Sequence, residues 1–188
     1  MSEQHYLIAL GGNLPSEAGA PEATLRAALT RFPQMGARVL QASRMYRTPC
    51  FPAGAGPDYV NAAAELAVEA NPAELLQLLH ELEGAFGRAR DQRWGQRTLD
   101  LDLLAAGARV VPDEVTYTAW QGLPLERQMR DAPDRLILPH PRLHERAFVL
   151  VPLNDVASGW VHPVLKRTVA EMLSDLPGDA VAEVVALD

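Results

Sequence analysis

Cysteine, long apolar runs and an excess of basic charge are all missing from this sequence, and each absence removes a class of protein. Cys50 stands alone among 188 residues. A disulfide framework and a cysteine-based zinc site are therefore both excluded. No apolar stretch approaches the roughly 20 residues that a membrane-spanning helix requires, and Tyr6-Leu7-Ile8-Ala9-Leu10 is too short for the core of a signal peptide. The expectation is a cytoplasmic, monomeric protein with no membrane partner. Seventeen Lys and Arg against 24 Asp and Glu leave a formal charge of −7. General nucleic-acid binders carry the opposite surplus, so nucleic acid is not expected as a partner and any polyanion must be met at a local patch.

What is present is the composition of an ordinary globular chain, 48% hydrophobic, with 13 glycines and 15 prolines dispersed along it instead of forming a repeat. Residues 1–188 read as a single domain. A chain of this size buries roughly 70% of the surface it exposes when unfolded, enough to close a core without metal or cross-link.

Tyr6 to Leu10 is an apolar run stopped by Gly11-Gly12-Asn13, the pattern of a buried strand entering a turn. Pro21 opens a helix whose Leu25, Ala28, Leu29 and Phe32 recur at helical spacing until Pro33 and Gly36 end it. Residues 38–47 read as extended, and a Pro/Gly-rich loop follows to Pro57. From Tyr59 to Glu69 the pattern alternates, with Tyr59, Asn61 and Glu65 on the face opposite Val60, Ala62, Ala64, Leu66 and Val68. Asn71-Pro72-Ala73-Glu74 has the form of a capping box, and the helix it opens buries Leu75, Leu78, Leu79, Leu82 and Phe86. Residues 98–104 alternate again. Residues 112–137 show no persuasive periodicity and read as a long loop excursion. Short helices broken at Pro152 are expected within 144–157, a helix over 168–176 and a final strand over 180–187. The order predicts an α+β fold, a ferredoxin-like α/β sandwich with a mainly antiparallel sheet and helices packed on it. That order carries no function by itself.

The chemistry concentrates at residues 88–102. Arg88, Arg90, Arg93 and Arg97 with Asp91 give a local charge of +3 in an acidic chain, bounded by Gly87 and Gly95. The planar fork of arginine suits phosphate oxygens, whereas most charge runs are merely solvated loops. Asp100 and Asp102 follow at once, two apart on a strand and so on one face, with Leu99, Leu101 and Leu103 on the other. Carboxylates about 7 Å apart repel by roughly 2–3 kcal/mol at an effective dielectric near 20. A bound cation would remove that cost, and hard oxygen donors suit Mg²⁺. Two such residues alone are more often a solvated face, but directly after an anion clamp they match what magnesium-nucleotide chemistry needs. No Gly-x-x-x-x-Gly-Lys-Ser/Thr loop is present, and Gly54-Ala55-Gly56 lacks the strand and helix of a dinucleotide fingerprint. His140 and His144 are four apart, but Pro139 and Pro141 disfavour a helix there and no third ligand is near, which argues against zinc.

Arg93-Trp94-Gly95-Gln96-Arg97-Thr98-Leu99-Asp100-Leu101-Asp102 closely resembles the hallmark of the 6-hydroxymethyl-7,8-dihydropterin pyrophosphokinase family of folate biosynthesis. Leu10-Gly11-Gly12-Asn13-Leu14, Tyr46-Arg47-Thr48-Pro49, Pro57-Asp58-Tyr59-Val60-Asn61-Ala62, Gly87-Arg88-Ala89-Arg90, and Pro139-His140-Pro141 with Arg146-Ala147-Phe148 follow in the family's order. The resemblance implies transfer of the β,γ-pyrophosphoryl group of ATP to the pterin hydroxymethyl oxygen, with AMP released. It implies two Mg²⁺ ions on Asp100 and Asp102. Arg88 and Arg97 would act catalytically on the transferring group. Glu83, Arg90, Arg93, Trp94, Arg97, Leu103, His140 and Arg146 match positions near ATP. Tyr59 and Phe148 resemble the pair that sandwiches the pterin, Asn61 would read its polar edge, and Thr48, Pro49, Phe51 and Trp94 would complete the pocket. Gln96 departs from the family's frequent proline. The excursion at 112–137 is longer than the compact pattern, with Trp120, Arg127 and Arg130 either an added lid or decoration.

The expected chemistry is an in-line displacement driven by positioning and charge neutralisation, with no evident general base. Two rivals stay open at this level, another metal-dependent phosphoryl or nucleotidyl transferase on a ferredoxin-like frame and a nucleotide-sensing module.

Overall fold

β1 (Gln4–Gly12) is buried on both faces, with Tyr6, Ile8 and Leu10 enclosed on one and Leu7 on the other. The chain then runs through α1 (Pro21–Arg31), a 3-10 turn (Phe32–Met35), β2 (Ala37–Ala42), β3 (Tyr46–Thr48), β4 (Tyr59–Val68), α2 (Pro72–Ala85) and β5 (Asp100–Ala106). It continues with α3 (Glu114–Gln121), a second 3-10 turn (Leu143–Glu145), α4 (Ala147–Ala157), α5 (Val169–Ser174), α6 (Gly178–Ala182) and β6 (Val185–Ala186). The computed structural model describes residues 2–50, 54, 56–87, 97–124, 126–127 and 133–187.

All described strand pairs are antiparallel, and the sheet order is β5-β1-β4-β3-β6, with β2 pairing the same edge of β4 as β3. The first and fourth strands are thus central, as the ferredoxin-like order requires. One face carries Tyr6, Ile8, Leu10, Ala62, Leu66, Leu101 and Leu103 against α1 and α2. Leu75, Leu79 and Leu82 of α2 are enclosed there, each contributing roughly 2 kcal/mol relative to exposure. The opposite face carries Leu7, Ala63 and Ala105 under Val149, Leu150 and Leu153 of α4 and Met172 of α5. Thus α4 and α5 pack on the half of the second face where Leu7 and Ala105 pair, while Asp100, Gly11 and Asn61 lie at the other end of the same strands.

The capping box forms as read: Asn71 Oδ1 accepts from the N–H groups of Ala73 and Glu74, both at 3.0 Å, and Glu74 Oε2 accepts from Asn71 N at 2.7 Å. Three expectations need correcting. Pro152 does not break its helix, because Val149, Leu150, Leu153 and Val156 are buried along one continuous stripe and that burial outweighs the missing backbone bond. The excursion is not all loop. Asp113 caps α3 by accepting from Thr116 N at 2.8 Å, and Tyr117 is buried with its hydroxyl 3.0 Å from His162 Nε2. The final strand is only Val185–Ala186, since Gly178–Ala182 forms α6.

Candidate active site

Asp100, Gly11 and Asn61 stand in register across β5, β1 and β4, one row on a single face of the sheet. The next row is Asp102, Ala9 and Ala63. Glycine is needed in the first row for a steric reason: a Cβ on Gly11 would lie 2.9 Å from Asn61 Oδ1. The space it leaves lets the buried Asn61 donate from Nδ2 to Thr48 Oγ1 at 2.7 Å. Tyr59, two residues before Asn61, projects from the same face and is half-buried. Burial raises its phenol pKa, and the Arg97 guanidinium pulls the other way.

Asp100 forms an ion pair and hydrogen bond with Arg97. Burial draws the Arg97 pKa down, but Asp100 beside it, with Asp102 farther off, more than offsets this and leaves it raised. Arg146 precedes α4 and feels the field of both Asp102 and Asp100; burial nevertheless lowers its pKa. His140 is pushed down to about 3, first by burial of its ring and then by Arg146 and Arg142, so it is neutral near pH 7. Arg142 N donates to His140 Nδ1 at 3.2 Å. The neutral ring therefore holds its proton on Nε2, where it can donate.

The outer edge of β5 is covered by two contacts. Leu101 N donates to Oε1 of the buried Glu83 on α2 at 2.7 Å, and His140 N donates to Leu104 O at 2.8 Å. Leu103 is two residues beyond Leu101, so its backbone faces the same outer edge while its side chain lies in the core under α1 and α2.

The turn after β1 docks directly on the residues that precede β5. A Cβ on Gly12 would stand 2.6 Å from Thr98 O. Asn13 N and Leu14 N both donate to Arg97 O, at 2.9 and 3.1 Å, and Arg97 N donates to Asn13 Oδ1 at 2.9 Å. A separate cleft of about 880 Å³ lies between α1 and α2, lined by Ser16, Thr30, Arg31, Phe86, Gly87 and Thr98, and Asp100 and Asp102 are not in its wall.

No group of three His, Cys, Asp or Glu side chains gathers as a closed metal cage among the described residues. Two half-buried carboxylates on one strand face fit a different cation, the hard Mg²⁺, which takes one or two carboxylates and fills its octahedron with water and phosphate oxygens.

Sequence comparison decides which family this geometry belongs to. The model of the 7,8-dihydro-6-hydroxymethylpterin-pyrophosphokinase family matches residues 7–158. This chain belongs to that family. Relatives named 2-amino-4-hydroxy-6-hydroxymethyldihydropteridine pyrophosphokinase share 35% identity with it in Synechocystis sp., over 93% of this chain and 77% of that protein. In Haemophilus influenzae the figure is 36% over 83% of each chain, and in Pseudomonas aeruginosa 34% over 95% of each. Among solved structures, the wild-type Plasmodium falciparum HPPK-DHPS with pteroate superposes with a TM-score of 0.64 at 14% identity. That match covers 92% of this chain but only 42% of the longer one, and at such identity it shows the fold alone.

Of the residues that the pyrophosphokinase resemblance singled out, the fold brings together Asp100, Asp102, Arg97, Arg146 and His140 on one side of Gly11, and Asn61, Thr48 and Tyr59 on the other. Pro49 is exposed directly after Thr48. Phe148 is 41% exposed at the start of α4, with the Arg146 guanidinium 5.7 Å from its ring centre. Arg88, Arg90, Arg93, Trp94, Phe51 and Arg130 lie outside the described residues. Trp120 and Arg127 are in the excursion, Trp120 on α3. Asn13, which the sequence shows in a turn and within the family-like Leu10–Leu14 segment, has no site role in that reading. Its signal was its place directly after a Gly-Gly pair at the end of a buried strand.

Proposed function

We propose that this chain transfers the pyrophosphoryl group of ATP to the hydroxymethyl oxygen of 6-hydroxymethyl-7,8-dihydropterin, a step of folate synthesis in which AMP is released. The observation that carries this reading is the Asp100–Gly11–Asn61 row. The backbones that carry its two polar side chains are two strand spacings apart, about 10 Å, and the Asn61 amide leans over Gly11, which suits an acceptor lying along the row with its ring toward Asn61 and its reacting end toward the carboxylates.

On this reading Asn61, held by Thr48, hydrogen-bonds the polar edge of the pterin while Tyr59 and Phe148 stack on it. The acceptor oxygen forms a bond to the β-phosphorus as the bridging bond to the α-phosphate breaks. AMP leaves with the bridging oxygen, and the alcohol proton passes to solvent. Asp100 and Asp102 would hold Mg²⁺, which when bound supplies charge neutralisation of the phosphate oxygens. Arg97, permanently charged, stabilises the transferring group together with Arg88, Arg90 and Arg93. His140 donates from Nε2 as a neutral ring, and Arg146 adds a desolvated positive charge. Glu83 steadies the edge of β5, and the outward backbone of Leu103 offers a donor and an acceptor to a purine.

Chromatography of the products from ATP, Mg²⁺ and the reduced pterin tests this. AMP appearing only when pterin is present is the expected result. Pyrophosphate as the by-product would replace the reading with nucleotidyl transfer, and an unconsumed ATP pool would replace it with a binding module.

A further inference from the structure

Asn13 is 3% exposed and directs its side chain at two segments remote in sequence. Its Oδ1 accepts from Arg97 N at 2.9 Å, 84 residues away, and its Nδ2 donates to Pro57 O at 3.2 Å, 44 residues away. Both partners are backbone groups of fixed character, a donor and an acceptor, so the orientation of the amide follows without ambiguity. An asparagine in a turn after a strand ordinarily bonds its own neighbouring backbone and serves the turn alone. Here the turn is already fixed by other means: Gly12 passes over Thr98 with no room for a Cβ, and the backbone N–H groups of Asn13 and Leu14 engage Arg97 O. The side chain is left to join two loops.

Those loops lead to different halves of the site. Arg97 is clamped at both its N–H and its C=O, and its side chain meets Asp100. Pro57 lies two residues before Tyr59, and Asn61 follows on the same face. We infer that Asn13 is a positioning residue whose amide oxygen sets the donor-side arm at Arg97 and whose amide nitrogen sets the acceptor-side arm that carries Tyr59 and Asn61. The inference rests on the pyrophosphoryl-transfer reading above.

The two halves of one amide can be separated by substitution. Asn13→Asp keeps an oxygen opposite Arg97 N–H but sets a second acceptor against Pro57 O. Asn13→Ala leaves both backbone groups without a partner. Steady-state kinetics with ATP and pterin, beside thermal unfolding of each variant, reads the difference. In Asn13→Asp the KM for pterin rises about tenfold with kcat within about twofold of wild type, and in Asn13→Ala kcat also falls about tenfold. Equal changes of kcat and KM in both variants, tracking only the loss of folded protein, overturn the inference, as do wild-type kinetics in both. If Asn13→Ala is too unstable to assay, Asn13→Asp decides alone, because a lower kcat at unchanged KM is the opposite of what the geometry requires. A wild-type chain without pterin-dependent AMP formation removes the underlying reading instead, and the two failures are told apart by assaying wild type first.

Discussion

Gly11 and Asn61 face one another across the β1–β4 ladder so closely that a methyl group on the first would stand 2.9 Å from the amide oxygen of the second. β5, with the carboxylates, and β4, with the Asn61 amide, both pair with β1 at Gly11, but the methyl would meet Asn61 and no atom of Asp100 within 4 Å.

Gly11→Ala should therefore act on the acceptor half alone. The new methyl displaces Asn61 from Thr48, and loss of a buried hydrogen bond of this kind costs about 1–3 kcal/mol. The expected outcome is a KM for pterin raised about tenfold with the KM for ATP nearly unchanged. Initial-rate measurements with each substrate varied in turn check this, and an equal rise in both KM values would show that the contact does not separate the two halves.

Two histidines make stability sensitive to acid. His140 is held down to about 3 by burial and the nearby Arg146 and Arg142, and His162 down to about 4 by burial and then by His144 and Lys166. Val164 N and Leu165 N donate to His162 Nδ1 at 3.2 and 3.1 Å, which leaves Nε2–H to donate to Tyr117. Both rings are neutral in the folded chain and protonated in the unfolded chain between the ordinary histidine value, about 6.5, and those lowered values. The unfolded state binds more protons across that window, so stability is full above it and declines as pH falls through it. Urea unfolding from pH 7 down to pH 4 should show the midpoint moving steadily to lower urea, less steeply in His162→Gln. A midpoint independent of pH would contradict the assignment of both rings as neutral.

The core elements were legible in the sequence because their signals are local and strong. An unbroken apolar run located β1, alternation located β4 and β5, and Asn71 with Glu74 marked the start of α2. The carboxylate face of β5 was readable for the same reason, as Asp100 and Asp102 alternate with leucines that the core encloses. What was not legible depends on contacts between remote segments. Only Tyr117 of α3 is buried, with its hydroxyl against His162, so the helix leaves no periodic stripe to find. The continuity of α4 through Pro152 depends on a sheet face that no local pattern shows. Asn13 gives no sign in its own neighbourhood that its partners lie at Pro57 and Arg97.

The most direct test of the account is AMP formation by Asp100→Ala and Asp102→Ala in the presence of ATP, Mg²⁺ and the reduced pterin, beside thermal unfolding of each. Both carboxylates are half-buried on a strand face, outside the enclosed core, so both variants should fold. Each should lose pterin-dependent AMP release by about 10³-fold or more, the scale on which electrostatic stabilisation of a transferring group operates. Undiminished AMP release by either folded variant would contradict the central claim that this pair of carboxylates anchors the reaction.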